Sequence, residues 1–277
     1  MKFKTALSCL LLALCLLCGC GATEDAPVED KTPEPTVSPY LVDKDVCSYE
    51  LLSFELDESG NYIWRVELTN RSEQPLTFGM DEVYLNDYRA DPYWASVVAA
   101  GASAEQEIVW SAEELSRNGI AAVSRVDFRL TAATPTDSGD VKLDERITAY
   151  PQGKAAYRNE QYIPAENEQK VVENETARVY LLSGLQDELL LRFYFRNNSK
   201  MVCYLAVTEL KVNGQAVDSG LRLRLDSEKQ GFMKAAWTAE QLTALEIDTI
   251  SGVTMQLAVC DAATDAVLWS DSLTLTP

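Results

Sequence analysis

Carboxylates are the side chains with which this sequence could do chemistry. Its 277 residues include 43 Asp and Glu, 24 Lys and Arg, and no His. Without His, the Ser-His-Asp and Cys-His nucleophiles and imidazole-ligated zinc are excluded. The chemistry that remains is glycoside hydrolysis by two carboxyl groups. Because acidic residues are so numerous, spacing singles out no pair, and we expect a non-catalytic protein.

No metal or cofactor site is predicted. The acidic loops at 57–61 and 137–140 are rich in oxygen ligands, but neither has the spacing of a calcium loop, which favours hairpin turns. Cys47, Cys203 and Cys260 contain no Cys-x-x-Cys motif, so a thiolate zinc site is unsupported. Three small buried thiols are the simplest interpretation, and a Cys203–Cys260 disulfide is the alternative.

The net charge restricts the partners. A formal charge of −19 argues against nucleic acid, whose phosphates require a face rich in Lys and Arg. It also repels anionic lipid surfaces, so attachment to a membrane would have to rest on a lipid rather than on charge. The acidic excess is interpreted as a solvated surface that maintains solubility.

The first 20 residues point to covalent lipidation. Lys2 and Lys4 precede a short apolar run at 6–17, which cannot span a bilayer and is typical of a secretory signal. The run ends in Leu-Cys-Gly-Cys at 17–20, which resembles the lipobox of bacterial lipoproteins. The resemblance implies a signal peptide over 1–19 and lipidation of Cys20. It places the chain on the extracytoplasmic face of the cell membrane; an ordinary secreted protein is the alternative.

An acidic tether is predicted after the lipidated cysteine. Residues 20–46 contain Pro27, Pro33, Pro35 and Pro39 among acidic residues, with few large apolar side chains. Such a composition cannot bury enough apolar surface to fold and favours an extended chain. The tether would hold the folded part away from the bilayer.

The rest of the chain contains an internal repeat. Residues 65–130 align without a gap with 192–257, at a constant offset of 127. We therefore predict two copies of one domain, 47–152 and 173–277, with a polar linker at 153–172. Glu82 and Glu113 recur as Glu209 and Glu240, which favours scaffold roles over one catalytic centre.

Each copy is predicted to be rich in short β-strands. In the first copy, apolar runs at 62–69, 76–85, 94–99, 105–110, 124–132 and 141–150 are separated by turn residues. One short helix follows each capping sequence, at 111–114 and 238–241. Trp110 and Trp237 precede these helices in both copies, which favours a structural role for both.

The alignment of the copies also predicts local details. Trp94 is placed inward and Tyr93 outward on the strand at 94–99. A shift in the apolar phase predicts a β-bulge near 81–82 and another near 208–209. The Asn-x-Ser sequences at 70–72 and 197–199 are interpreted as turns closed by side-chain oxygens rather than as glycosylation sites.

This order of elements resembles the immunoglobulin-like repeats of uncharacterised Gram-positive surface lipoproteins. The resemblance is carried by the Asn-x-Ser turns, the turns at 85–87 and 212–214, and the two capped helices. It implies an all-β fold of two tandem immunoglobulin-like antiparallel β-sandwich domains, each with one short helix, and no particular activity. The copies differ at Asp87 and Gly214, which is expected to change only the type of turn.

These features predict a membrane-anchored lipoprotein for non-catalytic binding, adhesion or scaffolding. Its partner would be an unknown extracellular protein or glycan. The alternative is a carbohydrate-binding or carboxylate-dependent glycan-active protein, for which Tyr88, Tyr93 and Tyr62 are the candidate exposed, ligand-facing aromatics. A transport-associated solute-binding protein is disfavoured because no long helices alternate with the strands.

Overall fold

The computed structural model describes residues 40–135, 140–159, 161–182, 189–218 and 220–276. Over these ranges the chain is all-β and forms two tandem immunoglobulin-like antiparallel β-sandwiches, each with one short α-helix. Cys20 and the signal, most of the tether and residues 137–139 of the 137–140 loop lie outside the described residues. None of the described helices is long and apolar enough to cross a membrane.

The first sandwich, called repeat 1, contains nine strands and one helix among its described residues. They are β1 Tyr40–Asp43, β2 Cys47–Leu56, β3 Tyr62–Asn70, β4 Leu76–Leu85, β5 Tyr88–Arg89, β6 Ala95–Val98, β7 Ser103–Trp110, α1 Ala112–Arg117, β8 Val126–Ala133 and β9 Val141–Ala149. One sheet has the order β1-β2-β3-β7, and the other is built around β4, which pairs with β5, β6 and β8, while β9 follows β8.

The second sandwich, called repeat 2, has the same plan. Its elements are β10 Gln169–Glu173, β11 Ala177–Leu181, β12 Leu189–Asn197, β13 Cys203–Val212, β14 Gln215–Val217, β15 Arg222–Leu225, β16 Gln230–Trp237, α2 Ala239–Ala244, β17 Val253–Asp261 and β18 Val267–Leu275. Strands β10-β11-β12-β16 form one sheet, and β13 with β14, β15, β17 and β18 forms the other. A 3-10 helix, Lys154–Ala156, lies between the repeats along the chain.

The structure reproduces the offset of the sequence repeat. Strands β3, β4, β6 and β7 and helix α1 begin and end 127 positions before β12, β13, β15, β16 and α2. Strand alternation explains why: on β3 the side chains of Tyr62, Trp64, Val66 and Leu68 are buried in the core between the sheets. The equivalent apolar positions in repeat 2 form a core of the same kind.

Two boundaries differ from the prediction. Strand β1 lies in the segment predicted as tether, and β10 begins in the segment predicted as linker. Each forms an antiparallel edge strand on its neighbour, β2 or β11, mainly through backbone pairing. Such pairing needs no strong apolar pattern, so composition did not reveal it.

Both predicted bulges are confirmed. In β4 the register with β8 shifts between Asp81 and Tyr84, where Glu82 adopts a left-handed φ of 50°. In β13 the register with β17 shifts between Val207 and Glu209. Although the two Glu residues are equivalent in sequence, Glu82 is buried and Glu209 is exposed. The bulge is therefore common to both repeats, while the surroundings of its Glu are not.

The Asn-x-Ser sequences close turns, as predicted. The Asn70 side-chain oxygen accepts hydrogen bonds from the Ser72 amide and hydroxyl, at 2.9 and 2.7 Å, while its amide donates to the Gln74 carbonyl at 2.7 Å. Asn197 makes the equivalent contacts with Ser199 and Met201 in repeat 2. Both Asn side chains are fully buried, so they hold the strand ends together.

The two helices differ in detail. In α2, Thr238 and Gln241 form the complete capping box, whereas in α1 only Ser111 accepts from the Glu114 amide. Trp110 is fully buried and its indole N–H donates to the Ala90 carbonyl at 2.8 Å, whereas Trp237 is only partly buried. The helix start is therefore common to both repeats, but the Trp before it is fully buried only in repeat 1.

The remaining local predictions concern cysteines, a loop and one strand. Cys47, Cys203 and Cys260 are buried free thiols, so the disulfide alternative is wrong for the structure as described. The loop at 57–61 is a turn in which the Asp57 carboxylate accepts from the Asn61 backbone at 2.8 Å. Trp94 packs against the core and Tyr93 points outward, as the alternation predicted.

Candidate functional site

The two repeats share one sheet. Strand β5 of repeat 1 pairs in parallel with β16 of repeat 2 through Tyr88 and Gln230, which makes a continuous nine-stranded sheet. The Gln230 amide donates to the Asp87 carbonyl at 3.0 Å. A Cβ at Gly231 would lie 3.1 Å from the Arg89 Cβ, so glycine permits this close approach. The repeats are thus joined by backbone as well as by side chains.

Aromatic side chains fill the junction between the repeats. Tyr84 belongs to repeat 1 by sequence but is buried in the core of repeat 2, where its hydroxyl accepts from the Asp226 amide at 2.9 Å. Tyr88 stacks on Phe232 with 5.9 Å between ring centroids. Tyr162, from the predicted linker, stacks on Tyr194 at 4.4 Å. These contacts bury large rings on both sides and stabilise one relative placement of the repeats.

A first group of ion pairs crosses the junction at the β4 bulge. The Glu82 carboxylate forms ion pairs with Arg146 of its own repeat and with Arg224 of repeat 2. Arg146 also forms an ion pair with Asp226 of repeat 2. Burial by itself would raise the pKa of Glu82, but Arg224 and Arg146 hold it below its usual value. The β-bulge therefore places the charged Glu82 carboxylate in contact with Arg224 of the other repeat.

A second group of ion pairs is centred on Lys229 of repeat 2. Its ammonium contacts the carboxylates of Asp87 and Asp127, and all three side chains are largely buried. Arg125 and the Tyr157 hydroxyl also contact Asp87. Burial would raise the pKa of Asp87, but Lys229, Tyr157 and Arg125 together hold it below its usual value. Asp87 is thus a docking residue, and the expectation that it affects only turn type is wrong.

A basic groove opens beside this junction. Its cavity volume is about 470 Å³, and we call it the junction groove. Six of its lining residues are cationic and two are acidic: Arg89, Arg117, Arg192, Arg222, Arg224 and Lys234, against Asp91 and Glu114. Tyr93, Asn118, Leu223 and Phe232 complete the lining. Such a concentration of positive charge stands out in a chain of net charge −19.

Several cations of the groove are already neutralised. Arg89 pairs with Asp91, Arg117 with Glu113, Arg222 with Asp265 and Arg224 with Glu82. By contrast, neither Arg192 nor Lys234 forms an ion pair with any described residue. Over the part of the chain that the structure describes, these two side chains are the cations of the groove without an ion-pair partner.

A second cavity adjoins the groove. Its volume is about 400 Å³, and it shares Arg117, Asn118, Arg192 and Phe232 with the junction groove. The unshared part of its lining is more apolar and includes Tyr162, Ile163, Leu182 and Ile120. Ile163, in the lining of this cavity, is 87% exposed, and Tyr93, in the lining of the junction groove, is 97% exposed. The two cavities are therefore neighbours, one lined mainly by cations and the other by more apolar residues.

The acidic residues of the groove have different surroundings. Asp91 is bound to Arg89, and its other oxygen accepts from the Val83 amide at 3.0 Å. Burial, together with the charge of Asp91, raises the pKa of Glu114, while Arg117 opposes the rise. In hydrolases, two carboxyl groups in different environments can serve as the general acid and the general base.

Of the site residues predicted from sequence, some are exposed as expected and others are buried. Tyr93 lies on the rim of the groove and is exposed, as expected. Tyr88 and Tyr62 are only 7% and 3% exposed, so placing them on a ligand-facing surface was wrong. Tyr88 is covered by Phe232 of repeat 2, and Tyr62 packs on Trp110 at 5.7 Å. Cys20 lies outside the described residues.

Sequence reasoning missed the basic residues of the groove. They come from β5, α1, β12, β15 and β16, and only folding brings them together. The outward phase of Arg222 and Arg224 was visible in the repeat alignment and is confirmed by their exposure. Among the described residues, no group of His, Cys, Asp and Glu could hold a metal ion.

No family model matches the chain, and no curated protein matches it. A red sea bream transglutaminase is similar over 87% of this chain and 31% of its own, at 11% identity and a TM-score of 0.23. This chain therefore spans about a third of the length of that protein.

Two other solved structures are similar at the same level. A protein of unknown function from Porphyromonas gingivalis W83 is 12% identical, with a TM-score of 0.25 over 84% of this chain and 100% of its own. The Salmonella enterica SafA pilin in complex with the SafB chaperone is 10% identical, with a TM-score of 0.20 over 77% of this chain and 89% of that one.

Proposed function

We propose that this protein is a lipid-anchored, extracytoplasmic, non-catalytic binding protein whose ligand site is the junction groove. The observation that carries the proposal is the cationic lining of this groove in an otherwise acidic protein, where Arg192 and Lys234 have no ion-pair partner among the described residues. Clefts lined by one sign of charge focus the field and raise the local concentration of a complementary ligand. The partner is a glycan or protein outside the cytoplasm.

The junction makes the groove suitable for binding because its walls are held in place. One wall comes from repeat 1 and the other from repeat 2, and the β5–β16 pairing joins them. The Lys229 and Glu82 ion pairs add side-chain contacts across the same boundary. A pre-formed site avoids the entropic cost of ordering its walls when the ligand binds.

Lipid anchoring at Cys20 is the part of the proposal that the sequence supports. Cys20→Ala should move the protein from the membrane fraction to the soluble fraction and abolish incorporation of a labelled fatty acid. Two acyl chains on one residue give stable anchoring, so their loss is expected to be all-or-none. Cys18→Ala is the matched control and should stay at the membrane. Continued labelling and retention of the Cys20 variant would refute the anchor.

The exposed ring of Tyr93 tests the groove as a ligand site. Tyr93→Ala removes a side chain that is 97% exposed, so it should leave the unfolding midpoint unchanged. On a glycan array, we expect signals given by the wild-type protein to weaken in this variant. Val141→Ala, at an exposed position outside the groove lining, should keep them. An array signal that survives Tyr93→Ala at full strength would place the ligand elsewhere.

Carboxylate-dependent glycan hydrolysis is a second candidate, because Glu114 and Asp91 line the same groove in different environments. Glu114→Gln separates the two functions; repeat 2 has Gln241 at the aligned position. In a binding protein the variant should bind an anionic ligand severalfold more tightly, because one opposing charge is removed. In a hydrolase it should stop turnover while binding persists. Reducing-sugar release and binding isotherms on the same glycan distinguish these outcomes.

The pH dependence of binding follows from the same residue. Because burial raises the pKa of Glu114 above 4.5, its charge is lost at a higher pH than that of an ordinary Glu. Asp91 and Arg117 are the charged groups that act on it most directly. Binding of an anion should therefore strengthen as the pH falls through this raised pKa. The trend should be absent from Glu114→Gln.

A further inference from the structure

We propose that the ligand of the junction groove is a short glycan that carries one or two anionic groups, carboxylate or phosphate. This inference rests on the proposed function, because it takes the groove as the ligand site. Its first support is the position of Arg192 and Lys234, which are direct cross-strand partners on β12 and β16. Like charges placed opposite each other in a sheet are destabilising.

Within the described ranges, no carboxylate forms an ion pair with either member of this cross-strand pair. The Arg192 guanidinium donates from one terminal nitrogen to the Arg117 carbonyl at 3.0 Å and lies over the Phe232 ring. Its Nε is buried without a hydrogen-bond partner. An oxyanion bound here would accept a hydrogen bond from this unpaired Nε–H and would also neutralise the two neighbouring cations. Such charge-assisted hydrogen bonds are about twice as strong as neutral ones.

Two further cations, Arg222 and Arg224, border this subsite, although each already pairs with a carboxylate, Asp265 or Glu82. Arg222 and Arg224 alternate on β15 and point outward. Arg222 rests on the Tyr204 ring, with 3.4 Å to the centroid, so its guanidinium plane is held by an aromatic face. Guanidinium groups bind carboxylate and phosphate through two parallel hydrogen bonds, which ammonium groups cannot do. The groove therefore fits an oxyanion better than a neutral polar ligand.

The lining of the two cavities favours a glycan over a free ion. The basic cavity and the adjoining cavity share Arg117, Asn118, Arg192 and Phe232 in their linings. Each is also lined by one highly exposed apolar or aromatic side chain, Tyr93 in the basic cavity and Ile163 in the other. Such side chains can cover the apolar faces of sugar rings, and amphipathic Tyr also offers its hydroxyl.

The acidic surface limits how charged the ligand can be. At a net charge of −19, a densely charged polyanion is repelled over most of the protein. Groups that enter the groove meet the cations that line it. A short or sparsely charged glycan satisfies this condition, whereas a long nucleic acid does not.

The test uses defined oligosaccharides and isothermal titration calorimetry on the soluble Cys20→Ala chain. The carboxylate probe is tri-galacturonate, with its methyl ester as the uncharged control. The phosphate probe is phosphorylated maltotriose, with maltotriose as its control. A tri-glutamate peptide supplies similar charge without sugar rings. We expect at least one anionic trisaccharide to bind about tenfold or more tightly than its neutral control and than the peptide.

Lys234→Gln should weaken this binding by about tenfold, because one charge-assisted contact is lost. Its unfolding midpoint should stay the same or rise, since the repulsion with Arg192 is relieved. Lys211→Gln is the matched control: Lys211 is exposed on β13, outside the groove lining, and its loss should leave binding unchanged. Arg192→Lys should retain part of the affinity that Arg192→Gln loses.

Several results would overturn the inference. Equal binding of charged and uncharged trisaccharides, abolished by Tyr93→Ala, would remove the anionic group while keeping the groove as a glycan site. Tri-glutamate binding as tightly as the trisaccharides would remove the glycan. Equal losses in Lys234→Gln and Lys211→Gln would show non-specific charge attraction. Anionic binding unaffected by every groove variant would refute both this inference and the groove itself.

Discussion

Replacing Lys229 with Ala is expected to destabilise the protein by about 1–3 kcal/mol, because two buried carboxylates lose one of the two cations they share and keep only Arg125. The Lys229 side chain is 11% exposed, and those of Asp87 and Asp127 are 5% and 13% exposed. All three belong to the contact between the repeats, so the loss falls on the junction. Chemical unfolding followed by Trp fluorescence measures it.

The matched control is Lys200→Ala. Lys200 also pairs with a carboxylate, Glu228, but the two side chains are 81% and 61% exposed. An exposed pair contributes about 0–1 kcal/mol, so this variant should unfold nearly as the wild type does. Equal losses in the two variants would contradict the buried ion pair.

The penalty at Lys229 should also depend on pH. In the wild type the pKa of Asp87 lies below the ordinary value of 3.8, so its contribution to stability is present above that pH and lost as the pH falls through the lowered pKa. In Lys229→Ala the carboxylate is buried without this partner, and acid relieves its charge. The difference between the two proteins should therefore shrink below about pH 4. A difference that stays constant from pH 7 to 3 would argue for lost packing instead.

Trp110→Ala is expected to cost about 3–5 kcal/mol, the range for truncating a fully buried Trp. Trp110 packs against Trp64 with 5.8 Å between centroids, and its indole donates to the Ala90 carbonyl. Truncation leaves a large cavity and an unsatisfied carbonyl in the centre of repeat 1. The measurement is the free energy of unfolding, with far-UV circular dichroism to show that the variant still folds.

Trp237→Ala is the control that the duplication supplies. Trp237 occupies the equivalent position before α2 but is only partly buried, so its truncation should cost about 1–2 kcal/mol. Equal costs at the two positions would mean that the repeats have equivalent cores at this point. The structure argues against that, because the packing around the helix differs.

Much of the fold could be predicted because its signals are local. The β-bulge at Glu82 appears in sequence as a shift of apolar phase, and the turn at Asn70 appears as an Asn-x-Ser sequence between strands. Tyr93 was correctly placed outward from alternation alone. Each of these depends on neighbours a few residues away, where strand periodicity gives the answer.

The site could not be predicted in the same way. Tyr88 has the pattern of an exposed aromatic in repeat 1, but Phe232 of the other repeat covers it. Arg192 and Lys234 sit on different strands, and their closeness depends on the pairing of β12 with β16. One signal was available: Asp87 and Lys229 have no counterpart in the other copy, which has Gly214 and Ala102 there.

The sequence by itself determined the duplication and the succession of most strands along each repeat, because these follow from short-range periodicity, and it predicts a lipid anchor. Tertiary structure alone decided how the copies meet. The contacts of Glu82 with Arg224 and of Asp87 with Lys229 each span 142 residues, and they depend on which faces of two folded sandwiches come together. That choice turns two similar domains into one body with a basic groove at their boundary.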